Sequence, residues 1–233
     1  MKKIIIDNLI FELYPNLNIA TLVVKNLNAS NKDKNYFLNL LDDALEYVPK
    51  HLPEEQLSEN KVIKKWREAY KKFPNEKGNK SSVENLLKRA KNQNKLPSIS
   101  PLVDVYNYIS VKYGVPCGGE DLETIEGDIH FTFAKGNENF VTYGSNVNEP
   151  PKAGEVVYKD NAGIICRSFN WRESVRTMLR ENSKNIVFFI EEVDENYDDV
   201  NLAIKELQNL IQEVFNTESS IYILNKEHNI IEI

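Results

Sequence analysis

The middle of this chain passes from a helical hydrophobic period to a strand-like one, and that change limits the folds open to it. From Phe37 to Tyr113 apolar residues recur at helical spacing, whereas from Ile129 to Glu192 they come in short runs parted by turn residues. A period near 3.6 buries one stripe of a helix and a period of 2 buries one face of a strand, so each segment suits one element type. Helices that precede a block of strands, rather than alternate with it, predict a mixed α+β domain and not a doubly wound parallel sheet.

Two apolar segments open the chain, "KKIIIDNLIFEL" and "NIATLVVKNL", and both read as strands. "KNYFLNLLDDALEYV" sets Phe37, Leu40, Leu41, Ala44, Leu45 and Val48 on one helical face, and Pro49 stops it. A second helix is expected over roughly 54–73, and a third from Ser81, which has capping-box spacing to Glu84. The fourth, "SPLVDVYNYISVKYG", carries Ser100 for the N-cap, Pro101 for the first turn and Gly114 for the stop. "VPCGGEDLETIEGD" reads as a loop. "IHFTFA", "NFVTY", "EVVYKD", "GIICRSF" and "NIVFFIEE" follow as strands, with "KDNAG" as a hairpin turn. "VNLAIKELQNLIQEVF" is an amphipathic helix with Leu202, Leu207, Leu210, Ile211 and Val214 inward, and "SIYILN" and "NIIEI" are expected to pair as a closing hairpin. The chain then divides into a strand-helix segment over 1–55, packed on a main domain over 56–233 that ends strand-rich.

Charge narrows the partners. The net charge is -6, yet residues 61–95 hold 12 Lys+Arg against 3 Asp+Glu, which leaves -15 on the remainder. An acidic body argues against indiscriminate polyanion binding, while a basic block can hold one phosphate backbone locally. A solvated helix pair would give the same charge count. No apolar run reaches the length of a membrane span, and Asp7, Asn8 and Glu12 interrupt the first segment, so no membrane partner and no signal peptide are expected. Cys117 and Cys166 form neither a disulfide framework nor a zinc cluster, and a reducing cytoplasm is the expected setting.

Few residues carry familiar chemistry. His51, His130 and His228 lack neighbours at metal-ligand spacing, so no metal is expected. Cys117 reads as a small residue in a glycine turn rather than a nucleophile. No nucleophile elbow, phosphate loop or dinucleotide fingerprint occurs. Two features stand out. Asp104, Asn107 and Ser110 recur every three residues on the fourth helix, and "CRSFNWRESVRT" crowds Arg167, Asn170, Trp171, Arg172, Glu173 and Arg176 together. Guanidinium groups beside an indole suit a phosphate with a base or an amino-acid ring. The plainer alternative puts Trp171 in the core and pairs the arginines with Glu173 and the acidic C-terminal half.

The order of these motifs resembles a known domain. "LVDVYNYISVKYGVPCGGEDLETIEGDI", residues 102–129, is similar to the segment VVDVTNYVxLExGQPMHAFDxDKIxG of the tRNA-editing domain in bacterial phenylalanyl-tRNA synthetase beta subunits. "GEVVYKDNAGIICRSFNWRESVRT" looks like the second half of that domain in its freestanding relatives, and "WREAYKKF" and "KSSVENLLKRA" look like their upstream helices. The resemblance covers roughly residues 60–195.

What the resemblance implies is an editing-domain fold and hydrolysis in trans of a mischarged aminoacyl-tRNA, with no metal and no cofactor. Tyrosyl-tRNA(Phe) and canavanyl-tRNA(Arg) are the candidate substrates, and a hydroxyl of the terminal ribose helps to place the water. A positioned water suffices because an aminoacyl ester is already activated. Asn170, Arg172 and Glu173 are the expected catalytic residues. Asp104, Asn107, Gly118, Gly119, Asp121 and Trp171 are expected to bind substrate, and Lys88, Arg89, Arg167 and Arg176 to bind tRNA. Gly118 stands where the synthetase pattern has a histidine, which leaves room for a different side chain. Asp104, Glu120 and Asp121 are candidates to line a pocket for a basic amino acid. The rival expectations are an inactive tRNA- or RNA-binding module and a free amino-acid-binding protein.

Overall fold

Two sheets carry the strands of the computed structural model, which describes residues 2–233. The first runs β10(Ile230–Glu232), β1(Lys3–Ile6), β4(Ile129–Phe133), β5(Val156–Lys159), β6(Ile164–Arg167), β7(Arg172–Glu173). The second runs β3(Cys117–Asp121), β8(Ile186–Glu192), β2(Asn18–Val24), β9(Ser219–Leu224). All pairs are antiparallel except β1 with β4. Phe131 and Tyr158 of the first sheet have ring centroids 4.5 Å apart, and Tyr158 lies 4.8 Å from Phe189 of the second. The sheets therefore face each other across an aromatic core.

Helices cover the rest. In chain order they are α1(Ile10–Leu13), α2(Lys34–Leu45), α3(Val48–His51), α4(Lys61–Tyr70), α5(Ser82–Gln93), α6(Pro101–Tyr113) and α7(Asp198–Phe215). Helix α6 is buried along most of its length and touches α2, α5, α7 and β3. Its ends follow the sequence signals: the Ser100 hydroxyl accepts from the Val103 N–H, Pro101 opens the first turn, and Gly114 closes the helix at φ 67°. Ser81 caps α5 in the same way, through the Glu84 N–H. The Glu84 carboxylate does not fold back to complete the box; it takes a two-pronged contact from Arg67 on α4 at 3.1 and 2.7 Å.

The sheets also depart from expectation. The "CGGED" stretch, expected in a loop, is edge strand β3, because Cys117–Asp121 pairs with β8 from Ile190 to Ile186. "NFVTY" forms no strand, only a bridge between Thr142 and Ser174. The last two strands are not a hairpin pair: β9 joins β2 and β10 joins β1, one in each sheet. The expected second helix breaks into a 3-10 turn at Leu57–Glu59 and α4, with Asn60 bonding the carbonyls of Glu54, Gln56 and Leu57 between them. Leu202 is 55% exposed, not inward. Strand β2 lies inside the second sheet with all seven residues buried, so the first segment of the chain is woven into both sheets.

Candidate functional site

Strand register assembles the site. Tyr158, Cys166 and Glu173 stand opposite one another across β5, β6 and β7, and so share one face of the first sheet. In the second sheet Gly118 stands opposite Phe189, with Glu120 and Glu191 two residues further along their strands. These two faces meet around a cavity of about 290 Å³, which α5, α6 and the 97–99 segment close over. Such a volume suits an amino-acid side chain and its backbone rather than a large cofactor.

A strained turn brings "FNWR" to this cavity. Ser168 and Phe169 both adopt left-handed backbone, at φ 47° and 63°. Two consecutive non-glycine residues in that region cost about 1–3 kcal/mol each and persist only where surroundings enforce them. Phe169 supplies the enforcement. It is fully buried among Tyr14, Trp66, Tyr70, Phe73 and Phe131, with centroids 5.0 to 6.5 Å away. The Ser168 hydroxyl donates to Glu155 at 2.8 Å, and the Tyr70 hydroxyl donates to the Ser168 carbonyl at 2.5 Å. With Phe169 pinned, the next three residues point to the cavity. The Asn170 amide donates to Glu191 at 3.1 Å and its oxygen accepts from the Ser82 N–H at 3.2 Å. Trp171 lines the wall, and the exposed Arg172 lies 4.6 Å from its ring.

The electrostatics are lopsided. Glu120, Glu173 and Glu191 all line the cavity. Burial raises the Glu173 and Glu191 carboxyls to about 7, and burial with the nearby Glu173 pushes Glu120 well above the usual carboxylate range. Glu191 is partly satisfied, since the Tyr158 hydroxyl donates to it at 2.9 Å. One oxygen of Glu120, in contrast, is buried without a partner. None of the three has an ion pair among the described residues. Burial and these same carboxylates also raise the Cys117 and Cys166 thiols well above their ordinary value, so neither is a ready thiolate nucleophile. No group of three or more His, Cys, Asp or Glu suited to a metal ion occurs among the described residues.

The cavity gathers only part of the residue set that the sequence suggests. Asn107, Gly118, Glu120, Asn170, Trp171, Arg172, Glu173 and, at the rim, Arg89 line it. Asp104 does not. Its carboxylate turns back to the Ser98 hydroxyl at 2.6 Å and the Ile99 N–H at 2.7 Å. Asp121 is likewise committed elsewhere, accepting from the Ser183 hydroxyl at 2.5 Å and the Glu123 N–H at 2.9 Å. Gly119 faces the core: a Cβ there would stand 2.7 Å from Phe188 and 2.9 Å from Leu179. Arg167 is buried and grips Glu155 with two N–H groups at 3.0 and 2.9 Å, and Arg176 holds Asp160 at 2.9 and 2.7 Å. Neither arginine is free for a phosphate. Lys88 and Arg89 are exposed on α5. Sequence reasoning alone misses Glu191 and Tyr158. A pair of glutamates ending the apolar run "IVFFI" is the available signal, since a carboxylate continuing a buried strand needs a reason.

A glutamate-lined cavity between two facing sheets, flanked by helices, is the central feature of this α+β domain. The family model "B3/4 domain" matches residues 65–216, and the chain belongs to that family. The fold is that of an N-terminal fragment of the phenylalanyl-tRNA synthetase beta-subunit from Pyrococcus horikoshii, with a TM-score of 0.51 at 12% identity over 93% of this chain. The chain spans 49% of that solved structure. No curated protein matches. No helix is long and apolar enough to cross a membrane.

Proposed function

We propose that this protein hydrolyses a mischarged aminoacyl-tRNA in trans, and that its cavity selects a cationic amino-acid side chain. One observation carries the choice of side chain: Glu120, Glu173 and Glu191 converge on one cavity and none of them is in an ion pair, although Arg89 and the exposed Arg172 also line it. Buried carboxylates without an ion pair are costly, and a fold that keeps Glu120 and Glu191 buried beside the half-buried Glu173 is most readily explained by a ligand that brings the positive charge. A guanidinium-type side chain, such as that of canavanine, fits this need better than the neutral phenol of tyrosine.

The chemistry then divides by position. Glu120 and Glu191 recognise the side chain, with Asn170 and Tyr158 holding Glu191 in place. The absence of a side chain at Gly118 leaves space for the ligand beside Glu173. Arg172, adjacent to the cavity, stabilises the negative charge that develops on the ester carbonyl oxygen. Water adds to the carbonyl carbon, the bond to the ribose oxygen breaks, and the proton of the water ends on that oxygen. A carboxylate with a pKa about 7, as in Glu173, suits the transient acceptance of that proton. The exposed Lys88 and Arg89 hold the acceptor-stem phosphates.

A panel of tRNAs charged with cationic and aromatic amino acids tests this. Hydrolysis faster than in buffer for a cationic pair supports it, and buffer-rate hydrolysis of every pair contradicts it.

A further inference from the structure

A second cavity of about 570 Å³ adjoins the acidic one and shares Ile99, Val103, Tyr106, Arg172 and Glu173 with it. Its outer wall differs in character. Tyr143 is 78% exposed and Ile99 65% exposed, two of the few large apolar side chains left in solvent. Arg172 and Arg180 bring positive charge to the same wall, partly opposed by the exposed Glu181. The chain is anchored just before Tyr143, where Thr142 bridges to Ser174 and the Val175 N–H donates to the Val141 carbonyl at 2.8 Å.

We infer that this second cavity seats the unpaired terminal nucleoside of the RNA, with the base against Tyr143 and Ile99 and the adjoining phosphate near Arg180. The inference rests on the deacylase reading above and specifies where the acceptor end goes. Single-stranded RNA ends are held by stacking on aromatic faces and by arginine, without a need for base-specific contacts. The geometry of the shared wall adds weight. If the amino acid fills the acidic cavity and the nucleoside the second, the ester joining them lies at the boundary, where Arg172 and Glu173 stand. Tyr143 and Ile99, both exposed, line this cavity together with Arg172 and Arg180, so one wall offers both an apolar surface and positive charge.

The test is tRNA binding by fluorescence anisotropy, using uncharged tRNA with and without its terminal adenosine. The wild-type protein is expected to bind the intact tRNA about tenfold more tightly than the trimmed one, the scale of one base stacked on an aromatic ring. Tyr143→Ala is expected to bind both alike, and Tyr143→Phe to restore the difference. Equal affinity of the wild type for the two tRNAs, including no binding at all, overturns the inference, as does a difference that survives in Tyr143→Ala. The parent reading fails separately. Discrimination without hydrolysis of any charged tRNA supports the nucleoside site and removes the deacylase, whereas hydrolysis without discrimination removes only the nucleoside site.

Discussion

Gly118 and Glu173 face each other across the gap between the two sheets: a Cβ on Gly118 would stand 3.4 Å from Glu173 Oε1. That is ordinary van der Waals contact, and Gly118 does not lie in left-handed backbone. Its glycine is thus not required by the fold. It is required, on our account, by what shares the cavity with Glu173. Gly118→Ala is expected to melt within a few degrees of the wild type while ligand affinity falls about tenfold, the penalty expected when a methyl group intrudes on a pocket. The neighbour gives the opposite result. Gly119→Ala meets Phe188 and Leu179 at under 3 Å and is expected to cost about 1–3 kcal/mol in chemical denaturation.

The raised carboxyl groups make stability depend on pH in a stated direction. Between the ordinary carboxylate value near 4.5 and about 7, the folded protein retains protons on Glu173 and Glu191 that the unfolded chain has released. Stability of the ligand-free protein therefore falls as pH rises through that window and levels off above it. Thermal melts from pH 5 to 8 check this, with Glu173→Gln and Glu191→Gln each flattening the slope. A melting temperature that climbs over the same window contradicts the assignment.

Phe169 is expected to couple stability to site geometry. Phe169→Ala removes the ring that five aromatic neighbours hold, at a cost of about 3–5 kcal/mol. Phe169→Leu keeps most of the burial but loosens the turn that aims Asn170, Trp171 and Arg172. It is expected to fold, measured by circular dichroism, and to lose most hydrolysis through kcat.

The arginines separate by role. Arg167→Ala leaves Glu155 buried and unpaired and is expected to destabilise by about 3–5 kcal/mol. Lys88→Ala with Arg89→Ala is expected to leave the melt unchanged and to weaken tRNA binding across all sequences. The salt slope of binding is expected to fall by about one for each phosphate no longer neutralised. Salt titrations of these variants distinguish a structural arginine from one that holds phosphate.

The local elements were largely legible in the sequence, because helix caps and turn residues act over a few positions. Ser100, Pro101 and Gly114 fixed α6, and Asp160 with Gly163 fixed the turn between β5 and β6. Pairing was not legible. That "CGGED" is a strand depends on β8 offering it an edge some seventy positions later, and that β9 and β10 separate depends on β2 and β1 each lacking a neighbour. The site followed the same rule. Motif order drew attention to both halves of the cavity, but which carboxylates face it is a matter of register. Asp104 and Asp121 are consumed by nearby hydroxyl and N–H donors, while Glu191, unremarked in the sequence, is carried inward by its place on β8. Arg167 and Arg176 do pair with acidic residues of the C-terminal half, Glu155 and Asp160, which lie buried beside them, and not with Glu173.

The most direct measurement of the central claim compares the hydrolysis rates of canavanyl-tRNA(Arg) and tyrosyl-tRNA(Phe) by the wild type and by Glu191→Gln. The account predicts that the wild type hydrolyses the cationic ester at least about tenfold faster than the aromatic one. Glu191→Gln is predicted to narrow this gap, because the amide cannot match a carboxylate as acceptor for a cationic donor. A wild type that prefers the tyrosyl ester, or a preference that Glu191→Gln leaves unchanged, contradicts it.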